Sequence, residues 1–415
     1  MRPIVALFFI AASFSCVIPH DLNTRNMAAF YRPDEKAVSP PDFSFWMIAD
    51  SIVRISVRVN TEHLLFTRQV DNSFLAELGV HIDIMASYEE TAIIDSATYR
   101  TPIRMDERGS YKTTTFDMPL RMPGDLLARI TLTDNFKGSS EDYYQRFQAI
   151  GKDSRNAFRV ADLLDEVLFR DYVTPSDTLR ISYRDTTVDD FSCYYFLRNF
   201  PLPPPPFSYD TRTSFDYRAD SVFSVSGIIS LKKVGFYHLQ TDSSGRDGCT
   251  LFCFPDGYPQ VKTTQQMLEP LRYLTTRSEY AALDTALSLR RAIDSYWLER
   301  ANGNEERARL LIRKYYGRVQ LANRLFSSYT EGWKTDRGMI YIVFGPPNVI
   351  YRYSNSETWI YGTENSPTAL NLLFVRVDNP FTPNDYSLTR SPVYEPHWYR
   401  AVDFWRQGRA YNSMY

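Results

Sequence analysis

The residues that most often carry chemistry are scarce. There are five histidines and four cysteines in 415 residues, and His20, His63, His81, His238 and His397 are scattered rather than grouped. No Gly-x-Ser-x-Gly elbow, His-Glu-x-x-His pair, phosphate-cradling glycine loop or EF-hand spacing occurs, which removes the best-marked hydrolase, metalloprotease, nucleotide and calcium-sensor classes. Charge of one sign is also lacking: 47 basic residues face 49 acidic ones, and no basic stripe stands out. That balance argues against nucleic acid and against an electrostatic membrane-surface binder. Beyond Cys16 only Cys193, Cys249 and Cys253 remain, an odd number that leaves room for one disulfide at most. Cys249 and Cys253 have a spacing found in some metal sites, but no second pair or neighbouring histidine follows. The run reads as a strand with buried or disulfide-linked cysteines, and no metal or cofactor is expected.

The apolar run from Ile4 to Phe14, after Met1-Arg2-Pro3, has the length of a signal-peptide core and is too short to span a bilayer. Residues 1–15 are therefore expected to be an export signal. Cys16, preceded by the small Ser15, stands where a lipoprotein signal peptidase would leave a cysteine for diacylation. Ser13 replaces the usual leucine three residues before it, so cleavage after Ser13-Phe14-Ser15, giving a soluble periplasmic or secreted protein, is the alternative. Val17 offers no aspartate-type inner-membrane retention signal, which favours the outer membrane without specifying a leaflet. Residues 16–41 are expected to be a lipid-anchored flexible linker, since His20 to Pro41 is polar, carries several prolines and has no sustained apolar period.

About 400 residues beyond the signal imply two to four domains. Over 42–152 the period is two, as in Val53, Ile55, Val57 and Val59 alternating with Arg54, Ser56 and Arg58. Similar runs at Phe74 to Ile84, Ala92 to Ile103, Thr113 to Leu120 and Leu126 to Thr133 are separated by glycine and proline turns, which predicts an immunoglobulin-like β-sandwich. A second sandwich is expected over 156–262, from Leu179, Ile181 and Tyr183 onward. Its polyproline stretch Pro201 to Pro206 suits a stiff inter-strand loop better than a docking site for a partner's aromatic groove. From 263 to 390 the period turns helical. Ser278 is the expected cap of a helix to about Leu287, and Leu289 opens another that breaks at Asn302-Gly303. Asn304 caps the clearest helix, with Ala308, Leu311, Ile312, Tyr315, Val319, Ala322 and Phe326 on one face. The fold class is thus mainly β with an α+β C-terminal domain.

That last helix delivers the chain to Glu331-Gly332-Trp333-Lys334-Thr335-Asp336-Arg337-Gly338, then to the apolar run Met339 to Phe344 and to Gly345-Pro346-Pro347. The segment resembles the signature of the GWxTD-domain proteins of bacterial envelopes, with Gly332, Trp333, Thr335 and Asp336 all matching. The resemblance extends over about Leu268 to Leu388 and more loosely upstream; it implies an envelope setting and no particular chemistry. On the residues alone, Gly332 is expected to be a left-handed helix cap and Trp333 a pin on the sheet. Thr335 and Asp336 are expected to bond nearby amides, with Gly338 releasing a strand Met339 to Phe344 and Gly345-Pro346-Pro347 stopping it. Further strands are expected at Val349 to Tyr353, Glu357 to Tyr361, Leu370 to Val377 and Tyr386 to Arg390. Asp336 as a general base is disfavoured, because Lys334 and Arg337 beside it favour the charged carboxylate.

Tyrosine and phenylalanine are frequent, 29 and 27, and most fall at core positions of strands and helices. Tyr394, His397, Trp398, Tyr399, Phe404, Trp405, Tyr411 and Tyr415 instead cluster in an aromatic tail over 391–415, expected without regular period, as a partner surface or a strap over the sheet. The expectation is a non-catalytic outer-membrane lipoprotein acting as an interaction or scaffold subunit for an unidentified envelope protein. The alternative is a carbohydrate- or peptidoglycan-binding or -processing protein. Cys16→Ala should abolish incorporation of labelled fatty acid and release the protein from the membrane fraction; unchanged membrane association would overturn the anchor.

Overall fold

The computed structural model describes residues 25–32, 40–149, 154–197, 200–209, 217–241 and 245–411. The expected signal segment, Cys16, His20, most of the expected linker and Tyr415 lie outside the described residues. The first eight strands are β1 (Asp42–Ala49), β2 (Ile52–Asn60), β3 (Thr67–Arg68), β4 (Phe74–Met85), β5 (Ile93–Arg104), β6 (Tyr111–Pro119), β7 (Asp125–Asp134) and β8 (Ser139–Gln148). They form two antiparallel sheets, β1-β2-β6 and β5-β4-β7-β8, with β3 beside the start of β4. The alternation read in β2 turns Val53, Ile55, Val57 and Val59 onto Val80, Ile82 and Ile84 of β4 in one apolar core. His81, on the outer face, bonds Thr98 Oγ1 across the sheet at 2.7 Å, as an ordinary strand residue does.

The next eight are β9 (Phe158–Ala161), β10 (Tyr172–Val173), β11 (Thr178–Tyr183), β12 (Asp190–Phe196), β13 (Ser221–Ser226), β14 (Ile228–Ser230), β15 (Gly235–Gln240) and β16 (Cys249–Cys253). They build the sheets β14-β11-β9 and β10-β16-β15-β12-β13 around a second core. Cys193, Cys249 and Cys253 are free thiols inside it, so of the two readings the buried one is observed and no disulfide joins them. Burial pushes the thiols of Cys193 and Cys253 up to about 12, which keeps them protonated and unreactive. The polyproline stretch is an ordered loop between β12 and β13. Its Pro206 carbonyl accepts from the Ser391 amide at 3.1 Å, which ties the loop to the C-terminal part.

The C-terminal part carries α1 (Thr264–Leu268), α2 (Arg277–Asp284), α3 (Leu289–Arg300), α4 (Glu305–Phe326), α5 (Asp336–Phe344) and α6 (Glu395–Arg406). With them goes an antiparallel meander, β17 (Val349–Arg352), β18 (Ser356–Tyr361), β19 (Leu370–Arg376) and β20 (Tyr386–Leu388), paired in chain order. Asn302 and Gly303 break α3 from α4 with φ of 54° and 78°, and the Asn304 side chain caps α4 by accepting from the Arg307 amide at 2.9 Å. The cap of α2 is Thr276 rather than Ser278. Its hydroxyl accepts from the Glu279 amide while the Glu279 carboxylate accepts from the Thr276 amide, and this reciprocal pair outcompetes a single serine.

Three further expectations are corrected. Residues 25–32, expected to be part of a flexible linker, are held on the C-terminal part, with Met27, Ala28 and Tyr31 in its core. Met339 to Phe344 is not a strand but the body of α5, all of whose residues are buried. A helix enclosed on every side has no polar face, so its sequence shows no helical period and reads like a buried strand. The segment after Ser391 is not an aperiodic tail either. It forms α6, with Trp398, Ala401, Val402 and Trp405 buried at helical spacing, and it packs against α5 rather than strapping the sheet. No helix of the described residues is long and apolar enough to cross a membrane.

His238 sits within the second sandwich, on the face that meets the C-terminal part. Its Nε2 donates to the Arg246 carbonyl at 3.0 Å, so the neutral ring accepts from Thr250 Oγ1 through Nδ1 at 2.8 Å. Burial lowers its pKa from 6.5 to about 4. Between those two values the unfolded chain binds a proton that the native ring refuses, so stability falls as pH is lowered across the window and levels off below it. Urea unfolding from pH 7 to 4 should show this decline, on the order of 3 kcal/mol at most. His238→Gln should flatten it, and an unchanged slope would exclude this residue as its source.

Candidate functional site

The signature segment folds as a corner against α4. After α4 ends at Phe326, residues Gly332–Lys334 make one 3-10 turn. The Gly332 amide donates to the Tyr258 hydroxyl at 3.2 Å and the Trp333 amide to Asn323 Oδ1 at 3.1 Å. A Cβ on Gly332 would lie 2.0 Å from the Ala322 carbonyl oxygen, and one on Gly338 would lie 1.9 Å from the Gly332 carbonyl oxygen. Both glycines are therefore required by close backbone approach. The expected left-handed cap at Gly332 is not formed, because α4 ends earlier, in extended backbone at Ser327.

Trp333 is 6% exposed and meets the edge of the Tyr273 ring at 6.1 Å, while its carbonyl accepts from the Tyr273 hydroxyl at 2.8 Å. It pins the turn to the helical layer rather than to the sheet. Thr335 caps α5: its hydroxyl accepts from the Gly338 amide at 3.0 Å and donates to the Gly332 carbonyl at 2.8 Å. Asp336, at the start of α5 and 1% exposed, accepts from the Leu388 amide at 2.7 Å and from Arg390 Nη2 at 2.6 Å. Its amide partner is thus in β20, not nearby in the chain. Neither cation beside it in sequence is its partner: Lys334 pairs with Glu331 at 3.2 Å, and Arg337 reaches Glu357 and the Asn384 carbonyl.

At the other end of α5, Gly345 turns the chain with φ of 85°, a conformation that glycine alone adopts without strain. A Cβ there would also lie 2.6 Å from Arg318 Nη2. The buried Arg318 donates to the carbonyls of Ile342 at 3.2 Å, Val343 at 3.3 Å and Tyr411 at 2.7 Å. Burial lowers its pKa to about 10, and it stays charged at neutral pH on the carbonyl end of α5 and the Tyr411 carbonyl, with no carboxylate among the described residues paired to it. Pro346 and Pro347 then lead into β17, and the Pro347 carbonyl accepts from Arg32 Nη2 at 2.8 Å.

A second buried constellation lies beside the corner and was not anticipated from sequence. Glu357 of β18, 2% exposed, holds Arg352 Nε at 3.1 Å, Arg337 Nη1 at 3.4 Å, Trp359 Nε1 at 3.0 Å and the Tyr31 hydroxyl at 2.9 Å. Burial pushes its carboxyl up, but Arg352 and Arg337, with the bonds from Trp359 and Tyr31, outweigh burial and hold it below the usual carboxylate range. The available signal was an acid two residues from Trp359, on the core face of a strand. Tyr31 gave none, since it falls in the polar linker.

Chemically, both constellations are closed. Their oxygens and guanidiniums face one another, and Asp336, Arg390, Arg337 and Glu357 are almost wholly shielded from solvent while Arg352 is partly exposed. A half-open cleft of about 320 Å³ between Pro259-Gln260 and α4 is lined by Gly317, Gln320, Leu321 and Arg324 besides, with no acid, histidine or thiol. Among the described residues no group of three or more His, Cys, Asp or Glu could hold a metal ion. Of the six tryptophans, Trp297, Trp333, Trp359, Trp398 and Trp405 are buried and Trp46 is half-buried, so the exposed aromatic faces are those of scattered residues such as Tyr111, Tyr209 and Tyr399.

Gly332→Ala should destabilise the protein by about 1–3 kcal/mol through forced separation of the turn from α4, and Trp333→Ala by about 3–5 kcal/mol. Urea midpoints followed by tryptophan fluorescence would check both. Loss of function with unchanged midpoints would reassign the corner to binding or catalysis.

A search of curated proteins finds no match to this chain. Residues 235–407 match the family model described as the GWxTD domain, a span that holds the corner, α5, the meander and, apart from Tyr31, the Glu357 cluster, and the chain therefore contains a GWxTD domain.

Proposed function

We propose that this protein is a non-catalytic lipoprotein of the bacterial envelope, anchored at the outer membrane through Cys16, that serves as an interaction or scaffold subunit for another envelope protein. The observation that carries the reading is the state of the signature residues. Asp336 and Thr335, the only side chains of the motif with chemistry to offer, are spent on internal bonds that close α5. A motif used in this way supports architecture rather than turnover. Two sandwiches in front of it supply extended surfaces of the kind that bind proteins, and the signal-like apolar run before Cys16 supports an envelope setting for them.

Crosslinking in intact cells, followed by purification through a C-terminal tag, should recover one specific envelope protein reproducibly, and the purified complex should be larger than the monomer. A protein that stays monomeric and captures nothing across growth conditions would end the scaffold reading. Specific binding to, or cleavage of, members of an envelope-glycan panel by the purified protein would move the assignment to the carbohydrate-processing alternative.

A further inference from the structure

Residues 25–32 run between the first sandwich and the meander, and their contacts are those of a bound peptide. The Met27 amide donates to the Ile350 carbonyl at 2.8 Å. The Asn26 side chain extends the pairing in both directions, giving its Nδ2 to the Asn348 carbonyl at 3.1 Å and taking the Ile350 amide on Oδ1 at 3.1 Å. β17 is an edge strand of the meander, so the segment satisfies backbone groups that would otherwise face water or another chain. Ala28–Tyr31 then makes a single 3-10 turn that sends Met27, Ala28 and Tyr31 inward, at 0%, 4% and 3% exposure.

Tyr31 is the deepest anchor. Its ring lies 5.2 Å from that of Phe326 and 5.4 Å from that of Trp359. Its hydroxyl donates to Glu357 at 2.9 Å and accepts from Arg352 Nη2 at 2.6 Å, and its carbonyl accepts from the Tyr341 hydroxyl of α5 at 2.7 Å. On the other side Arg25 pairs with Asp142 of β8 at 2.7 Å, so the same segment joins the first sandwich to the meander. One isolated turn cannot order itself in water. The groove supplies its conformation.

We propose that Asn26–Tyr31 is a built-in, exchangeable peptide ligand and that the groove it fills is a peptide-recognition site of the GWxTD domain. The site reads backbone along the edge of β17, an asparagine at its rim, a methionine in a closed apolar pocket and, four residues on, a tyrosine whose hydroxyl bridges Glu357 and Arg352. Withdrawal of the segment frees the strand edge, leaves two guanidiniums on one carboxylate and releases the Arg25 link to the first sandwich. The segment lies between Cys16 and β1 in the chain.

The test uses the full chain with a specific protease site placed in residues 33–39 and a labelled synthetic peptide of residues 25–32. After cleavage at micromolar concentration, the N-terminal fragment should co-elute with the rest of the protein. An excess of the peptide should displace it while the near-ultraviolet circular dichroism of the body stays native. Peptides carrying Tyr31→Phe or Met27→Ala should compete at least about tenfold less well, and a scrambled peptide should not compete. Release only on unfolding of the body, loss of the fragment without rebinding, or equal competition by the scrambled peptide would each overturn the proposal.

Discussion

The constraint on which the C-terminal half depends is a helix with no outside. Every residue of α5, from Asp336 to Phe344, is buried, so it must be enclosed on every side by other elements and both of its ends must be closed without water. Thr335 and Gly338 close the first turn, and the carboxylate of Asp336 at that end is held by β20 and Arg390. At the far end the Ile342 and Val343 carbonyls are taken by Arg318, and the Val343 carbonyl also by Trp405 of α6. Around its flank lie α4, α6, the meander and the segment that ends in Tyr31. The signature residues are the hardware of one end of this helix. Gly332 and Gly338 are glycine because three backbones converge there with no space for a Cβ.

Such enclosure forces charges indoors. A buried ion pair loses hydration that its mutual attraction scarcely returns, so these pairs are weak grounds for stability and better grounds for registration. Asp336 and Arg390 are 54 residues apart, Arg337 and Glu357 are 20 apart, and Tyr31 meets Glu357 across 326. Each group left alone would cost several kcal/mol, so a slip of β20, β18 or the N-terminal segment is penalised more heavily than apolar packing alone would penalise it. Arg318 is the limiting case, a guanidinium held by the carbonyl end of α5 and the Tyr411 carbonyl rather than by a carboxylate among the described residues.

What was legible in the sequence was whatever faces two environments. The alternation in β2 and β11 and the stripes of α3 and α4 each set a core face against a wet one, and these elements were read correctly in kind and nearly in extent. The apolar run Met339 to Phe344 faces one environment only, so period could not separate helix from strand. In α6 the helical spacing of Trp398, Ala401, Val402 and Trp405 is interrupted by His397, Tyr399 and Phe404, further rings off the buried stripe, so no clear period stands out in the sequence. The roles of Arg390 and Tyr31 come from contacts far away in the chain, and no local pattern announces them.

The same reasoning explains why the family match begins at residue 235, inside the second sandwich, rather than at the first helix. β15 lies between β16 and β12, so the match takes up two strands of a sheet whose other members lie outside it. Those two strands are buried on both faces. Tyr237, Leu239, Cys249 and Leu251 face the sandwich core, whereas Phe236 and Phe252 face outward into an aromatic junction with Tyr258 and Phe381. Phe236 stacks on Phe196 at 4.6 Å and meets Phe381 edge-on at 5.0 Å, so one ring touches both the neighbouring strand β12 and the loop before β20. Tyr258, just past β16, carries the contact onward, because its hydroxyl receives the Gly332 amide. The corner is therefore held from the sandwich side as well as by α4. The GWxTD unit borrows two strands for its outer wall, and the sheet that lends them is completed by β10, β12 and β13, which lie upstream of the match.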